Sequence, residues 1–172
     1  TVVELMPIAD FAGQRNWGYD GVLPFAPDES YGTPLELKAF IDTAHAQGMS
    51  VLLDVVYNHF GPVGNYLGQY AAPFFDTGQS TGWGDGIDFS QAAVRNLYVD
   101  NALYWINEYR FDGLRFDAVH AIAEQSFLPR LAAEIRAGTD PQRHIHLVLE
   151  NERNNASLLL NGTTVNGYDA QW

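Results

Sequence analysis

The sequence predicts an α/β fold built on a parallel β-sheet, and three observations lead to this prediction. Apolar, β-branched segments alternate with segments of helical spacing, a pattern typical of parallel strands joined by right-handed helical crossovers. One segment, residues 51–57, is apolar at nearly every position, as expected of a strand covered on both faces. Acidic, amide and histidine side chains follow several strand segments, where ligand sites lie in such folds.

The first elements follow from local signals. A β-branched run over residues 1–6, stopped by a proline, predicts a strand. A loop rich in glycine, proline and aromatic residues is predicted over 9–33. The Thr-Pro-Leu-Glu sequence at 33–36 predicts a helix start with a capping box, and Gly48 predicts its end.

The second half continues this alternation. In chain order we predict a Gly-rich loop over 60–90, a helix capped by Ser90, a strand around Arg115 and Asp117, a helix over 128–137, a strand over 145–150, a short helix over 151–161 and a strand region beginning at 164–169. No nucleotide-binding glycine motif follows any of the strands. Together with the long loops, this favours an arc of a (β/α)8 barrel over an open sheet, with the other strands outside these residues.

The composition of the chain excludes several classes of function. The 172 residues are 47% hydrophobic, enough for one core, and the net charge is −12. The acidic balance argues against nucleic acid and against an anionic membrane surface, and a neutral substrate fits better. The absence of cysteine suits the cytoplasm and excludes thiolate metal sites. No obligate protein partner is indicated. Four aromatic residues in polar, Gly-rich loops could stack on sugar rings: Trp17, Tyr19, Tyr66 and Trp83.

Two carboxyl residues at strand ends suggest the chemistry. Side chains alternate along a strand, so Arg115 and Asp117 point the same way, which favours an ionised Asp117. Glu150 follows an apolar strand without an adjacent cation, so burial should raise its pKa. An ionised and a protonated carboxyl about 5–5.5 Å apart cleave glycosidic bonds with retention. A structural ion pair is the alternative for Arg115 and Asp117, but a third polar strand end, Asp54, favours a catalytic site.

Three stretches resemble the signature regions of the α-amylase superfamily of glycoside hydrolases, in the same order and spacing. They are Asp-Val-Val-Tyr-Asn-His at 54–59, Gly-Leu-Arg-Phe-Asp-Ala-Val-His at 113–120 and Glu-Asn at 150–151. The resemblance implies a partial (β/α)8 barrel from about the second strand to the start of the sixth. It also implies that residues 1–172 are a fragment of one catalytic domain, with no second domain.

The same resemblance implies roles for individual residues. Asp117 would be the nucleophile that forms a covalent glycosyl-enzyme, and Glu150 the general acid and base. Arg115 would position Asp117. The implied substrate-binding residues are Tyr19, His59, Arg115, His120 and Asn151, and the implied structural supports of the site are Asp54 and Asn58.

Within the superfamily, the stretches at 15–22, 57–67, 117–122 and 168–172 most resemble hydrolases that release trehalose from the end of an α-1,4-linked oligosaccharide. Branching enzymes, which pass the glycosyl group to another sugar, are the second interpretation, and a non-catalytic carbohydrate-binding barrel is the third. The superfamily's third essential acidic residue lies in a region outside these residues. We therefore expect the 172 residues alone to be inactive.

Metal binding is the remaining hypothesis. His144 and His146 share a strand face, but no third ligand is evident near them in the sequence. Asp76, Asp85 and Asp88 lack the spacing of an EF-hand, and a solvated loop is expected there. The sequence therefore predicts neither a metal nor a cofactor.

Overall fold

The computed structural model describes residues 1–160 and 166–172, which form nine strands and four α-helices. The strands are β1 (Val2–Leu5), β2 (Ala9–Phe11), β3 (Gly21–Pro27), β4 (Ser50–Val55), β5 (Phe75–Thr81), β6 (Gly84–Ile87), β7 (Gly113–Phe116), β8 (His146–Leu149) and β9 (Ala170–Gln171). The helices are α1 (Pro34–Ala46), α2 (Leu67–Tyr70), α3 (Ala92–Asn107) and α4 (Phe127–Ala137).

The central sheet has five strands in the order β1-β4-β7-β8-β9, and every pairing is parallel. Within this sheet, each strand lies beside the strand of the same sheet that precedes it in the chain, and the two antiparallel pairs, β2-β3 and β5-β6, lie outside it. The order of strands in a doubly wound open sheet reverses at a switch point, whereas neighbours in a barrel follow one another. The predicted α/β class is confirmed, and the strand order agrees with part of a barrel.

Helix α1 begins as the sequence predicts. The Thr33 hydroxyl accepts from the Glu36 N–H at 3.3 Å, and the Glu36 carboxylate accepts from the Thr33 N–H at 2.8 Å. Gly48, just after the helix, has φ +71°, the left-handed conformation that favours glycine at a helix end. This helix precedes β4, whose residues are buried from Val51 onward.

The predicted cap of α3 is wrong. Its N-cap is Gln91, and no side chain makes a capping hydrogen bond there. The N–H of Ser90 donates to Asp88 Oδ1 at 2.9 Å, and the Gln91 side chain donates to Asp88 Oδ2 at 2.9 Å. Asp88 thus orders a turn just before the helix, and Ser90 is part of that turn instead of the cap. Helix α4 agrees with the prediction and begins one residue earlier.

Both regions predicted as loops contain short strands. β2 pairs with β3, and β5 pairs with β6, each antiparallel and with shifts of register. The sequence did not predict these four strands, because β3 contains Pro24 and ends at Pro27, and β5 and β6 are rich in Gly, Ser and Thr. Proline and glycine are depleted in regular strands and occur at edges and bulges.

The last predicted elements are shorter than expected. Within 151–160 the structure has one 3-10 turn, Ala156–Leu158, capped by Asn155, and residue 161 of the predicted helix lies outside the described residues. Of the strand region predicted to begin at 164–169, residues 164 and 165 also lie outside them. The strand itself is β9, preceded by a bridge between Leu159 and Tyr168.

The core lies where α3 and α4 meet the sheet. Trp105 and Ile106 of α3 and Leu128 of α4 are buried there. Tyr168 is also buried, and its hydroxyl donates to the Leu128 carbonyl at 2.8 Å, which satisfies this polar group in an apolar setting. Among the described residues, no helix combines the length and apolarity needed to cross a membrane.

Candidate active site

A cleft of about 610 Å³ opens where β4, β7 and β8 end. Polar side chains reach it because β7 ends just before Asp117 and β8 ends just before Glu150, and the loop before β3 closes one side. The cleft is lined by Asn16, Trp17, Tyr19, Asp20, His59, Trp83, Arg115, Asp117, Ala118, His120, Glu150 and Glu152. Its place at the carboxyl ends of parallel strands is where ligands bind in such folds.

The structure brings the carboxyl groups of Asp117 and Glu150 together. Phe116 of β7 pairs with Leu149 of β8, so the next residue of each strand leaves the sheet at the same level. Both side chains line the same cleft, and both contact Arg115. Ala118, at φ +39°, turns its N–H toward Glu150 Oε2, at 2.8 Å. A non-glycine residue in this conformation is strained, and such strain is concentrated at functional sites.

Arg115 holds three carboxyl groups with one buried guanidinium. Nη1 donates to Asp54 Oδ2 at 2.6 Å and to Asp117 Oδ1 at 3.0 Å, and Nη2 lies 2.8 Å from Glu150 Oε2. The guanidinium carbon also lies 5.4 Å from the centroid of the Trp172 ring. The sequence indicated only the pairing with Asp117. The planar fork of arginine explains why one cation can serve three acceptors.

The pKa shifts of Asp117 and Glu150 in the structure run opposite to those expected from the sequence. Burial, together with the negative charge of Glu150, raises the pKa of Asp117 above its usual range, against Asn58 and Arg115, which lower it. Burial also acts to raise the pKa of Glu150, but the Ala118 N–H and Arg115 outweigh it, and the net pKa is lowered. Burial raises the pKa of Asp54 to about 6, against the opposing effect of Arg115. The Ala118 N–H and Arg115 thus favour the ionised form of Glu150 in the free site.

The sequence alone does not predict these pKa shifts. Adjacency of Arg115 and Asp117 along the strand was visible, but the guanidinium is shared across β4, β7 and β8, and its contact with Asp54 is its shortest. Because Arg115 contacts both carboxyls, they titrate as a pair, and a proton that the pair shares can be transferred to Glu150 when substrate enters. Such a transfer would give the ionised nucleophile and protonated acid that glycoside cleavage requires.

A chain of hydrogen bonds ties the Trp-Gly-Tyr loop to the strand ends. Asn58 donates through Nδ2 to Asp117 Oδ2 at 2.9 Å, and its Oδ1 contacts His59 Nδ1. His59 Nε2 lies 2.8 Å from the Tyr19 carbonyl, and the Tyr19 hydroxyl donates to Asp54 Oδ2 at 2.8 Å. Burial lowers the pKa of His59. Tyr19 and His59 line the cleft, while Asn58 and Asp54 support the residues around it.

Comparison with known proteins agrees with this geometry. Residues 1–73 match the model of the alpha amylase catalytic domain. The malto-oligosyltrehalose trehalohydrolase of Deinococcus radiodurans is 44% identical over 100% of this chain and 28% of its own length. A candidate alpha amylase of Salmonella typhimurium, solved by crystallography, is 47% identical with TM-score 0.95, over 100% of this chain and 30% of that one. The chain is a homologue of the α-amylase family.

A third relative shows how widely the early strands are shared. The 1,4-alpha-glucan branching enzyme of Mycolicibacterium paratuberculosis is 39% identical over 69% of this chain and 17% of its own length. The trehalohydrolase similarity extends over the whole chain, and the branching-enzyme similarity is partial. The α-amylase-family chain spans less than a third of the length of each of these relatives.

Two of the residues that the resemblance implies bind substrate, His120 and Asn151, occupy different positions relative to the cleft of this α-amylase-family homologue. His120 lines the cleft, and its Nδ1 accepts from the Glu152 N–H at 3.4 Å. Asn151 is buried and does not line the cleft, which disagrees with its expected role in substrate binding. Its Nδ2 donates to Gln171 Oε1 at 3.0 Å, and its Oδ1 accepts from the Arg153 N–H at 3.2 Å. Neighbouring residues of an extended segment point in opposite directions, so Asn151 turns away where Glu150 faces the cleft.

Four lining residues were not singled out from the sequence of this α-amylase-family chain: Asn16, Asp20, Ala118 and Glu152. Asn16 and Asp20 flank the Trp-Gly-Tyr sequence and bond to each other at 2.7 Å, a loop contact that their spacing alone does not reveal. Trp83, from the β5–β6 turn, stacks on His59 with ring centroids 4.1 Å apart. It is one of the aromatic residues proposed from the sequence to stack on sugars.

In the full-length α-amylase-family protein, replacing Gly18 by alanine is expected to displace Tyr19 from the cleft and so to raise KM for the substrate. A Cβ at Gly18, where φ is +97°, would lie 1.9 Å from the Pro7 carbonyl oxygen. Gly13 is a matched control, because it has φ +94° but nothing within 4 Å of a Cβ. Both variants carry the backbone cost of alanine at positive φ, about 1–2 kcal/mol, and only Gly18→Ala adds the collision. Thermal unfolding and KM, measured together, check this, and equal effects of the two variants would contradict it.

Proposed function

We propose that the protein is a retaining α-glycoside hydrolase that acts on α-1,4-linked malto-oligosyltrehalose and releases trehalose. The observation that supports this most directly is that Asp117 and Glu150 both contact the Arg115 guanidinium and line one cleft. The similarity of the whole chain to a curated malto-oligosyltrehalose trehalohydrolase supports the choice of substrate. The proposal extends to the whole protein, of which residues 1–172 contribute part of one catalytic domain.

The chemistry follows from the two carboxyl groups. Asp117 attacks the anomeric carbon while Glu150 donates its proton to the leaving oxygen, so the glycosidic bond breaks and an ester to Asp117 forms. Glu150, now ionised, then takes a proton from water, which attacks the ester and releases the sugar with its original configuration. An inverting enzyme needs its carboxyls about 6.5–9.5 Å apart to admit water. Asp117 and Glu150, which leave neighbouring strands at the same level and share one guanidinium, favour the shorter spacing of a retaining enzyme.

The surrounding residues prepare Asp117 for this role. Asn58 and Arg115 hold its two carboxyl oxygens, at 2.9 and 3.0 Å. These bonds fix the direction of attack and stabilise the anion that forms when the proton passes to Glu150. Aromatic rings of Trp17, Tyr19 and Trp83 line the cleft, and we assign them to stacking on the sugar units of a neutral glucan.

A branching enzyme would use the same glycosyl-enzyme and differ only in its acceptor, a sugar hydroxyl in place of water. The partial similarity to a 1,4-alpha-glucan branching enzyme keeps this as the second candidate. A non-catalytic carbohydrate-binding barrel is disfavoured because both carboxyls and their supporting hydrogen bonds are present. We place the protein in the cytoplasm, which is compatible with a chain that contains no cysteine.

The full-length protein, incubated with maltotriosyltrehalose, is expected to release free trehalose and maltotriose in equal amounts. Proton NMR should detect the α-anomer of maltotriose first, because a double displacement retains configuration. Maltopentaose is the matched control: it has the same number of glucose units but no trehalose end, and it should be cleaved more slowly. New α-1,6 branches in amylose without trehalose release would favour the branching enzyme, and binding without any turnover would favour the non-catalytic barrel.

A further inference from the structure

We propose that His144, His146 and Asp169 form a binding site for a transition-metal dication, for which Zn²⁺ is the best fit. Each residue offers one ligand atom, and these atoms all lie within 4.8 Å of one another. The site lies where β8 begins and just before β9, at the amino ends of the strands. The catalytic candidates are at the opposite, carboxyl ends, so this site is separate from the cleft.

The fold places the three side chains together through the pairing of β8 with the segment that enters β9. His144 and His146 are two residues apart and their rings meet edge to face, with centroids 4.4 Å apart. Asp169 donates its N–H to the Leu147 carbonyl at 2.8 Å. This bond sets Asp169 beside the two histidines. The sequence shows no third ligand near the two histidines, because Asp169 is distant in the chain and adjacent only in the sheet.

Contacts from outside the cluster orient the carboxylate. Asp169 Oδ2 accepts from the Leu147 N–H at 2.7 Å and from Arg136 Nη2 at 2.9 Å. The other oxygen, Oδ1, lies 3.3 Å from His144 Nε2. One carboxylate oxygen is thus fixed by the protein, and the other faces the imidazoles. Outer hydrogen bonds of this kind are a usual part of metal sites.

The dimensions and the donor set suit zinc. Zinc bonds of about 2.0–2.2 Å in a tetrahedron place ligand atoms roughly 3.3 Å apart. His144 Nε2 and Asp169 Oδ1 already have this separation, and His144, whose side chain is 62% exposed, can rotate to complete the arrangement with His146. Two imidazoles and one carboxylate leave a fourth position for water. Calcium and magnesium prefer oxygen donors alone and do not match this set.

The charges around the three residues determine the affinity for zinc that we expect. Arg136 lies against the same carboxylate and repels a dication, so binding should be micromolar and not nanomolar. The competing explanation of the contacts is a plain ion pair between a protonated His144 and Asp169, and such a pair needs no metal. Zinc would tie the start of β8 to the segment before β9, so its effect should appear as thermal stability and not as turnover.

The test is calorimetric titration of ZnCl₂ into the full-length protein after treatment with EDTA. The wild type should bind one more equivalent of Zn²⁺ than His144→Ala or His146→Ala, or bind that equivalent at least about ten-fold more tightly, a factor that even outer-shell substitutions produce. Zinc should also raise the Tm of the wild type more than that of either variant, and MgCl₂ should not.

His45→Ala is the matched control. His45 also pairs with an aspartate, Asp112, at 2.7 Å, but it is not one of the three clustered residues, so this variant should bind zinc as the wild type does. His144→Ala removes an exposed side chain and keeps the test valid if His146→Ala fails to fold. Equal stoichiometry, affinity and Tm response in the wild type and in His144→Ala would overturn the proposal.

Discussion

Asp117→Asn in the full-length protein is expected to lower kcat by roughly 10⁴-fold or more, in the range measured when one member of a catalytic unit is removed. The amide can still accept from Arg115 Nη1 and lies in the same cleft, so the fold and the substrate contacts should persist. What is lost is the nucleophilic oxygen that forms the glycosyl ester. Steady-state kinetics on maltotriosyltrehalose, with circular dichroism to confirm the fold, give the measurement.

The variant Glu150→Gln distinguishes the role of the general acid from that of the nucleophile. An α-glucosyl fluoride has a leaving group that needs no proton, so loss of the general acid should matter far less for the fluoride than for the natural substrate. Asp117→Asn should be inactive on both substrates, because both require the nucleophile. The matched control is Asp42→Asn, an exposed carboxyl on α1, which should leave kcat unchanged. If Asp117→Asn turned over maltotriosyltrehalose at the wild-type rate, the glycosidase assignment would fail.

The sheet could be predicted because its signals are local. The buried run of β4, the capping box at Thr33 and Glu36 and the glycine after α1 each depend on a few consecutive residues. β2, β3, β5 and β6 could not be predicted in this way, because prolines, glycines and register shifts remove the regular alternation. They are specified by what they pack against and not by their own periodicity.

The candidate site, like the fold, could be predicted from the sequence only in part. Its strand-end position and its two carboxyls are visible in the sequence, since Asp117 and Glu150 each follow an apolar run. The protonation of the pair is not visible, because it depends on Ala118 donating an N–H to Glu150 and on Arg115 reaching across three strands. The third residue of the proposed metal site could not be predicted for the same reason, because Asp169 lies beside His144 only through strand pairing.

Arg115→Met is expected to reduce the free energy of unfolding by about 3–5 kcal/mol at neutral pH, the usual cost of removing one partner from a buried ion pair. The Arg115 side chain is only 9% exposed and contacts three carboxyl groups. Methionine fills much of the volume but leaves Asp54, Asp117 and Glu150 without their cation. Urea denaturation followed by tryptophan fluorescence gives the measurement.

The destabilisation should grow with pH. Burial already raises the pKa of Asp54 to about 6. Loss of the cation should raise the pKa values of Asp54 and Asp117 further and remove a contact that lowers the pKa of Glu150. A carboxyl whose folded-state pKa exceeds its unfolded value, about 4, stabilises the fold fully below that value and loses this contribution as pH rises through the folded pKa. Arg115→Met should therefore be closer to wild type at about pH 5 than at about pH 8.

Two variants test whether the cluster itself is responsible. Asp54→Asn in the Arg115→Met background should recover part of the lost stability at alkaline pH, because it removes one uncompensated charge and the amide can still accept from Tyr19. Arg130→Met is the control, since Arg130 forms a partly exposed pair with Glu134 one helical turn away and should cost no more than about 1 kcal/mol. A loss of stability in Arg115→Met that did not change with pH would count against the charge mechanism.

Arg115→Lys distinguishes charge from geometry. A lysine restores one positive charge to the cluster, so it should recover much of the stability and reduce its dependence on pH. Its single ammonium cannot reproduce the planar fork that reaches Asp54 and Asp117 from Nη1 and Glu150 from Nη2. The direction of Asp117 is then less well fixed, and kcat should remain low although the protein is folded. A folded Arg115→Lys variant with low kcat would show that stability requires a cation at position 115 and that catalysis requires the guanidinium, whereas wild-type kcat would contradict this.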